Sequence, residues 1–322
     1  MTQPSVDRWR ALLRLVVRVA VVGVAGVFLA RGVDWTQVGR ILARTRLPLV
    51  GIVVALNAMK LAARAWRLRM LLDDQIAFRT SYLTKLTVSA LNNLAPFRGG
   101  DVARLWMLEH HARVDKAAAA VITLFEALLD LVTLGALASL AAPWTHGQRW
   151  AVVAAPIALV GGTLLLVLLA RGGAGRAAPA AAAGRFAWLR AVWRTGFPPL
   201  RRADRAGLLV AVSLVEWSIE ATMIVVAARA AGLSIGFPLA LVGLMALNLA
   251  IAVPSMPASA GAFEAGLSVV LVLGGLPKSS AVSFAILYHL VQVIPVTVAG
   301  AVVIVRGGFT LRGLRSAADR QA

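Results

Sequence analysis

Residues 237–275 read FPLALVGLMALNLAIAVPSMPASAGAFEAGLSVVLVLGG. The stretch is apolar enough for a bilayer interior, yet Asn248, Pro254, Pro257 and Gly261 interrupt its middle and the acid Glu264 follows them. A proline withdraws a helix N–H and crowds the preceding turn, so backbone groups are left without partners. Against lipid that is untenable, and such breaks persist only inside protein or beside a wet cavity. Residues 80–97 carry the same pattern: Ala90-Leu91-Asn92 is followed by Pro96, Gly99, Gly100 and Asp101, as Ala246-Leu247-Asn248 is followed by Pro254, Pro257, Gly261 and Glu264. Each reads as an apolar segment, a break, and a carboxylate opening a new helix.

Around these two segments lie six uninterrupted apolar runs, near 15–30, 47–63, 117–142, 151–170, 207–231 and 281–305. A run of about 18 or more apolar residues suffices to cross the hydrocarbon layer. The chain of 322 residues is 60% hydrophobic and only 15% charged, with mean hydropathy +0.81, and a water-soluble fold could not bury that much apolar surface. The expected fold is therefore all-α: a polytopic transmembrane bundle, one domain over 1–322, with two re-entrant or broken segments. The halves, about 8–142 and 151–306, form a possible inverted repeat. Interrupted helices that meet near the midplane between inverted repeats are a recurring transporter architecture.

Thirty-three Lys and Arg against 14 Asp and Glu give a net charge of +19. In a soluble chain that would suggest nucleic acid; here arginines at helix ends set topology and meet anionic lipid, so nucleic acid is not an expected partner. Lys and Arg are dense at the N-terminus, from Arg64 to Lys116, from Arg171 to Arg205, and in the tail with Arg306, Arg312, Arg315 and Arg320. Trp144 to Trp150 holds only Arg149, and Ala230 to Pro238 no charge. The expected topology has both termini in the cytoplasm of a bacterial inner membrane, with residues 172–205 as a cytoplasmic linker and the first helix retained. Arg31, Arg40, Arg44 and Arg46 sit on a loop that breaks this pattern. With no cysteine, disulfides, iron–sulfur clusters and thiol nucleophiles are excluded.

The candidate site follows from polar residues that a membrane helix carries only for a reason. Glu126 and Asp130 share one helix face, as do Glu216 and Glu220, and a carboxylate at mid-bilayer costs about 2.5–3.5 kcal/mol on insertion scales. Two readings stand: structural pairing with Arg64, Arg67 or Arg98, or a role in substrate binding or proton coupling. Glu216 lies nearer an end of its run and is left out of the candidate set. Arg98 and Asp101 flank Gly99 and Gly100, where helix N-terminal amides and an arginine can hold a phosphate, or where Asp101 caps the next helix. Asn92, Asn93 and Asn248 serve either a ligand or the freed backbone. His289 shares a face with Gln292 and is either a proton relay or a satisfied buried imidazole. His110 and His111 fall on an amphipathic stretch, and no histidine spacing suggests a metal. There is no phosphate-binding Gly-rich loop and no serine elbow; neither a cofactor nor enzymatic activity is expected.

Arg64-x-Trp66-Arg67, then Leu91-Asn92-Asn93-x-x-Pro96-x-Arg98-x-Gly100-Asp101-x-x-Arg104, then Glu126 and Asp130, then Pro257-x-x-x-Gly261-x-Phe263-Glu264 resemble the lysylphosphatidylglycerol synthase transmembrane (flippase-like) family, from roughly Arg8 to Arg306. The resemblance implies a membrane module that moves or presents modified lipids, including aminoacylated phosphatidylglycerol, hopanoid-type lipids and polyisoprenyl carriers. The family's soluble aminoacyltransferase domain has no counterpart in these 322 residues. Three places depart from the family pattern: Pro257-Ala258-Ser259-Ala260-Gly261 where Pro-Gly-Gly-x-Gly is usual, Glu126-Ala127 where Glu-Arg is usual, and Tyr288-His289 where Tyr-Arg is usual. The function expected is a lipid translocase or lipid-handling transporter whose partners are membrane lipids, with proteins of lipid biosynthesis as further candidate partners. Alternatives are an accessory protein or intramembrane enzyme of envelope lipid synthesis, and a scaffold that binds anionic lipid.

Overall fold

A computed structural model describes residues 34–94, 99–112, 114, 116–145, 152–153, 156–157, 159–164, 203–252 and 257–306. The elements are helices: α1 Trp35–Ala43, α2 Leu47–Leu71, α3 Phe78–Leu94, α4 Gly99–Ala112, α5 Lys116–Ala141, α6 Ala203–Ala230, α7 Phe237–Ile251, α8 Ala262–Leu273 and α9 Lys278–Arg306, with 3₁₀ turns at Ala142–Trp144 and Pro257–Ser259.

Four stretches are long and apolar enough to cross a membrane: Leu47–Leu71, Ala119–Trp144, Asp204–Ala230 and Lys278–Arg306. At about 1.5 Å per residue these 25 to 29 residues reach past a hydrocarbon core of about 30 Å. They match four of the six expected crossings, and the chain is a multi-pass membrane protein. The first expected crossing, near 15–30, and the linker at 172–205 lie outside the described residues; of the run near 151–170 only short helical pieces are described.

The two interrupted segments are each a pair of shorter helices. α3 and α4 have 17 and 14 residues, α7 and α8 have 15 and 12, so none is long enough to cross alone. α7 and α8 pack antiparallel on one another. A side chain at Gly274 would strike Leu239, one at Gly243 would press on Leu267, and one at Gly266 would meet Ala250 Cβ at 2.8 Å and Leu247 Cα at 2.9 Å. Without a hydrophobic drive between helices in lipid, such small residues set how closely backbones approach. Gly300 serves α9 in the same way against Ala90 and the Leu86 carbonyl of α3.

The longest helix interface joins α2 to α6, and α5 and α7 pack on α6. The amide of Arg46 donates to the Ala230 carbonyl, 2.9 Å, fastening the start of α2 to the end of α6. α9 lies against α3, α8, α2 and α1. Pro295 interrupts the α9 ladder, and one turn earlier Asn57 Nδ2 of α2 donates to the Gln292 carbonyl, 3.1 Å. Trp217, Met223, Ile224, Leu244, Leu267, Phe284 and Tyr288 fill one apolar core; Leu68, Leu108, Ile122, Phe125 and Leu209 fill a second. Between the two cores, and sharing their helices, runs a band of charge.

Candidate functional site

Lys60, Arg64 and Arg67 stand at i, i+4 and i+7 on α2, so one face of that helix presents three cations. α5 answers with Glu126 and Asp130, and α6 with Glu216 and Glu220. Arg67, 1% exposed, holds Asp130 with both terminal nitrogens at 2.5 and 3.2 Å, donates to Ser213 Oγ at 2.9 Å, and lies 3.1 Å from Glu216 Oε2. Arg64 Nε donates to Glu216 Oε1 at 2.5 Å and Arg64 Nη2 is 3.8 Å from Glu220 Oε2. Lys60 Nζ donates to Glu220 Oε1, 3.2 Å, which also accepts from Gln292 Nε2, 3.3 Å.

At the other end of the band, Glu126 accepts from Lys85 Nζ of α3 at 2.8 and 2.9 Å and from Arg104 of α4, with Arg67 Nε 3.9 Å away. The structural reading of these acids is thus realised, with Lys85 and Arg104 as the main partners of Glu126. Arg98, one of the arginines expected there, lies outside the described residues, as do Pro96 and Pro254. Glu216, left out of the candidate set, has 0% exposure and joins Arg64 to Arg67. The connected groups are Lys60, Arg64, Arg67, Lys85 and Arg104 against Glu126, Asp130, Glu216 and Glu220, five cations to four carboxylates. Among the described residues the network therefore holds one more basic than acidic side chain, and burying such a set is costly unless each group is paired.

The band opens at its Lys60–Arg64 end into a cavity of about 240 Å³. Arg64 is the cation that reaches it most freely, its side chain 30% exposed. Ser89, Asn92 and Asn93 from the end of α3 line one wall; Asn248 of α7, Ala258, Ser259 and Phe263 line another; Asn57, Glu220, His289 and Gln292 complete the polar lining. The two helix breaks therefore meet across one hollow, and the second 3₁₀ turn packs directly on α3.

Each break is held by the residues that the sequence marks. Gly99 and Gly100 open α4, and any Cβ at Gly100 would strike the Val88 carbonyl and the Asn92 side chain. Asn92 Nδ2 donates to Asp101 Oδ1, 3.2 Å, tying the end of α3 to the start of α4. Asn93 Nδ2 donates to Thr297 Oγ1 of α9, 2.9 Å. Asn248 Nδ2 donates to the Leu244 carbonyl of its own helix, 2.8 Å, while the residue faces the cavity. In the second break Pro257 opens the 3₁₀ turn, and Ala258, Ser259 and Gly261 have φ of 54°, 57° and 83°, a region open to glycine and costly for side chains. Glu264 caps α8, its Oε2 accepting from the Gly261 N–H at 2.7 Å, and its Oε1 lies 2.6 Å from His289 Nδ1. Glu264 thus caps α8 and reaches His289, a residue of the cavity wall.

Lys60, Lys85 and Arg104, with Glu216 and Glu220, are the network members absent from the sequence-derived set. The spacing of Lys60 with Arg64 and Arg67, and of Glu216 with Glu220, was the available signal. Among curated proteins none matches this chain. The family model for the lysylphosphatidylglycerol synthase TM region matches residues 15–300, a span that contains both breaks, the ion network and the cavity. The chain belongs to that family.

Proposed function

We propose that the protein moves polar lipids between leaflets, or presents them at the membrane, by lodging the headgroup in the cavity between the two breaks while the acyl chains stay in lipid. One observation carries this reading: a polar hollow, bounded by both breaks and positioned inside a bundle of membrane spans, sits at the exposed end of a buried network of paired basic and acidic side chains. A hollow of about 240 Å³ is smaller than the roughly 300–1,000 Å³ that encloses a whole drug-sized ligand. It suits a headgroup and not a lipid. Supplying hydrogen-bond donors and charge at depth lowers the cost of carrying a polar group through hydrocarbon. Lys60 and Arg64 would face an acidic group; Glu220 and the asparagines would face hydroxyls or amines.

The activity requires no covalent step. The arginine distribution supports an inner-membrane setting with cytoplasmic termini. The test is leaflet exchange of headgroup-labelled phospholipids in vesicles carrying purified protein. Exchange should exceed that of empty vesicles and fall toward the empty-vesicle rate with folded Arg64→Ala. Equal rates with and without wild-type protein would refute the proposal.

A further inference from the structure

Hydrogen bonds around His289 fix how many protons the Glu264–His289 pair holds. His289 Nε2 lies 3.0 Å from the Ala258 carbonyl oxygen; a carbonyl only accepts, so Nε2 carries a hydrogen. Nδ1 lies 2.6 Å from Glu264 Oε1. A lone pair on nitrogen facing a carboxylate lone pair at that distance is repulsive, so one proton lies between them. The pair is then either imidazolium with carboxylate or imidazole with carboxylic acid, and in both cases its net charge is zero. The Phe263 ring stacks on the imidazole at 4.2 Å and 10°, an arrangement that accommodates a cationic ring.

What the proton fastens is strained backbone. His289, on α9, grips the carbonyl of Ala258, and Glu264 grips the amide of Gly261. Between them Ala258 and Ser259 hold left-handed φ, at about 1–2 kcal/mol per residue. Ala258, Ser259, Phe263 and His289 are themselves cavity wall. If the proton passes to cavity water, a carboxylate and a neutral imidazole with a single N–H remain, so His289 can donate to only one of Glu264 and the Ala258 carbonyl, and one of the two ties between the break and α9 is lost.

We propose that Glu264 and His289 form a proton-binding site whose single proton latches the second break across the cavity, so that proton release opens the cavity and couples headgroup movement to proton movement. The coupling, though not the proton site, rests on the headgroup reading above. The ionisable groups facing the cavity with His289 are Lys60 and Arg64 of α2 and Glu220 of α6; α3 and α7 face it with Ser89, Asn92, Asn93 and Asn248. Tyr288 turns its hydroxyl toward the Glu220 carbonyl, 3.4 Å, α8 carries no ionisable group besides Glu264, and Asp34 and Arg40 beside α1 pair with each other. The latched state holds one proton more than the open state, so raising pH favours opening.

The chain has no cysteine, so Ser259→Cys, with Ser89→Cys as a second reporter on the opposite wall, gives single sites for a water-soluble thiosulfonate reagent. The full chain is placed in phosphatidylcholine nanodiscs, and rates are divided by that of Gln75→Cys, exposed between α2 and α3, to remove the reagent's own pH dependence. The expected ratio rises with pH, by no more than about tenfold per unit, the limit for one proton. His289→Ala should label fast at every pH. Glu264→Gln should label slowly at every pH, because its amide donates to Nδ1 without a titrating proton; a purely structural role would make both variants fast. A flat wild-type ratio, or fast labelling of Glu264→Gln, would overturn the proposal. Labelling that titrates without lipid exchange would uphold the proton site and remove the transport reading; exchange with flat labelling would do the reverse.

Discussion

Where α2, α3, α4, α5 and α6 meet, the bundle is held by charge, and where α7, α8 and α9 meet it is held by close packing. The first region buries Arg67, Lys85, Arg104, Glu126 and Glu216; the second buries Leu244, Leu267, Val270, Leu271 and Phe284 and relies on Gly243, Gly266 and Gly274 for contact. Charge fixes geometry only while every partner is present, whereas apolar packing tolerates a sliding or tilting neighbour. A rigid charged wall and a looser apolar wall across one cavity is the arrangement expected if the second break moves and the first does not.

The comparison breaks most severely at Arg67. Replacing it with Met leaves Asp130 without its closest cation and Glu216 with Arg64 alone, and should cost about 3–5 kcal/mol, read as loss of thermal stability in detergent; Asp130→Asn added to it should restore part of the loss. Arg67 itself is 1% exposed, so this effect should change little with ionic strength. Next in size is Gly266→Val, which forces α8 off α7 at Ala250 and Leu247 and should cost about 1–3 kcal/mol by overpacking. The smallest effect has the opposite sign. Ala258→Gly removes a side chain from φ 54° and should raise stability by about 0.5–1 kcal/mol, the relief of strain less the extra freedom of glycine in the unfolded chain. A loss of stability there would mean that Ala258 is not held as described.

Much of this was legible in the sequence because the bilayer imposes few solutions. The apolar runs near 47–63, 117–142, 207–231 and 281–305 became α2, α5, α6 and α9, since length and hydropathy alone decide a crossing. The breaks were legible for the same reason: Pro257, Gly261, Gly99 and Gly100 cannot sit in lipid without a compensating environment. Partner choice was not. Periodicity shows that Glu126 and Asp130 share a face, but not that Lys85 from α3 and Arg104 from α4 converge on Glu126. That depends on how the short helices fold back, which Gly100 and Asn92 settle at close range. Lys60 was hidden within an apolar run, where a long side chain reads as an interfacial anchor, and the position of Glu216 along its apolar run says nothing of the partners that it meets inside the bundle. His289 and Glu264, 25 residues apart, were each visible without any hint that they touch.

The shared hollow is the claim on which the functional reading rests, and a phospholipid bearing a photoreactive group on its headgroup tests it most directly. After illumination in vesicles and proteolysis, label is expected on peptides from both walls, Ser89 to Asn93 and Ala258 to Phe263, and should be lost in Arg64→Ala. Label confined to lipid-facing positions of α9 such as Val298 and Val305, with neither wall modified, would contradict it.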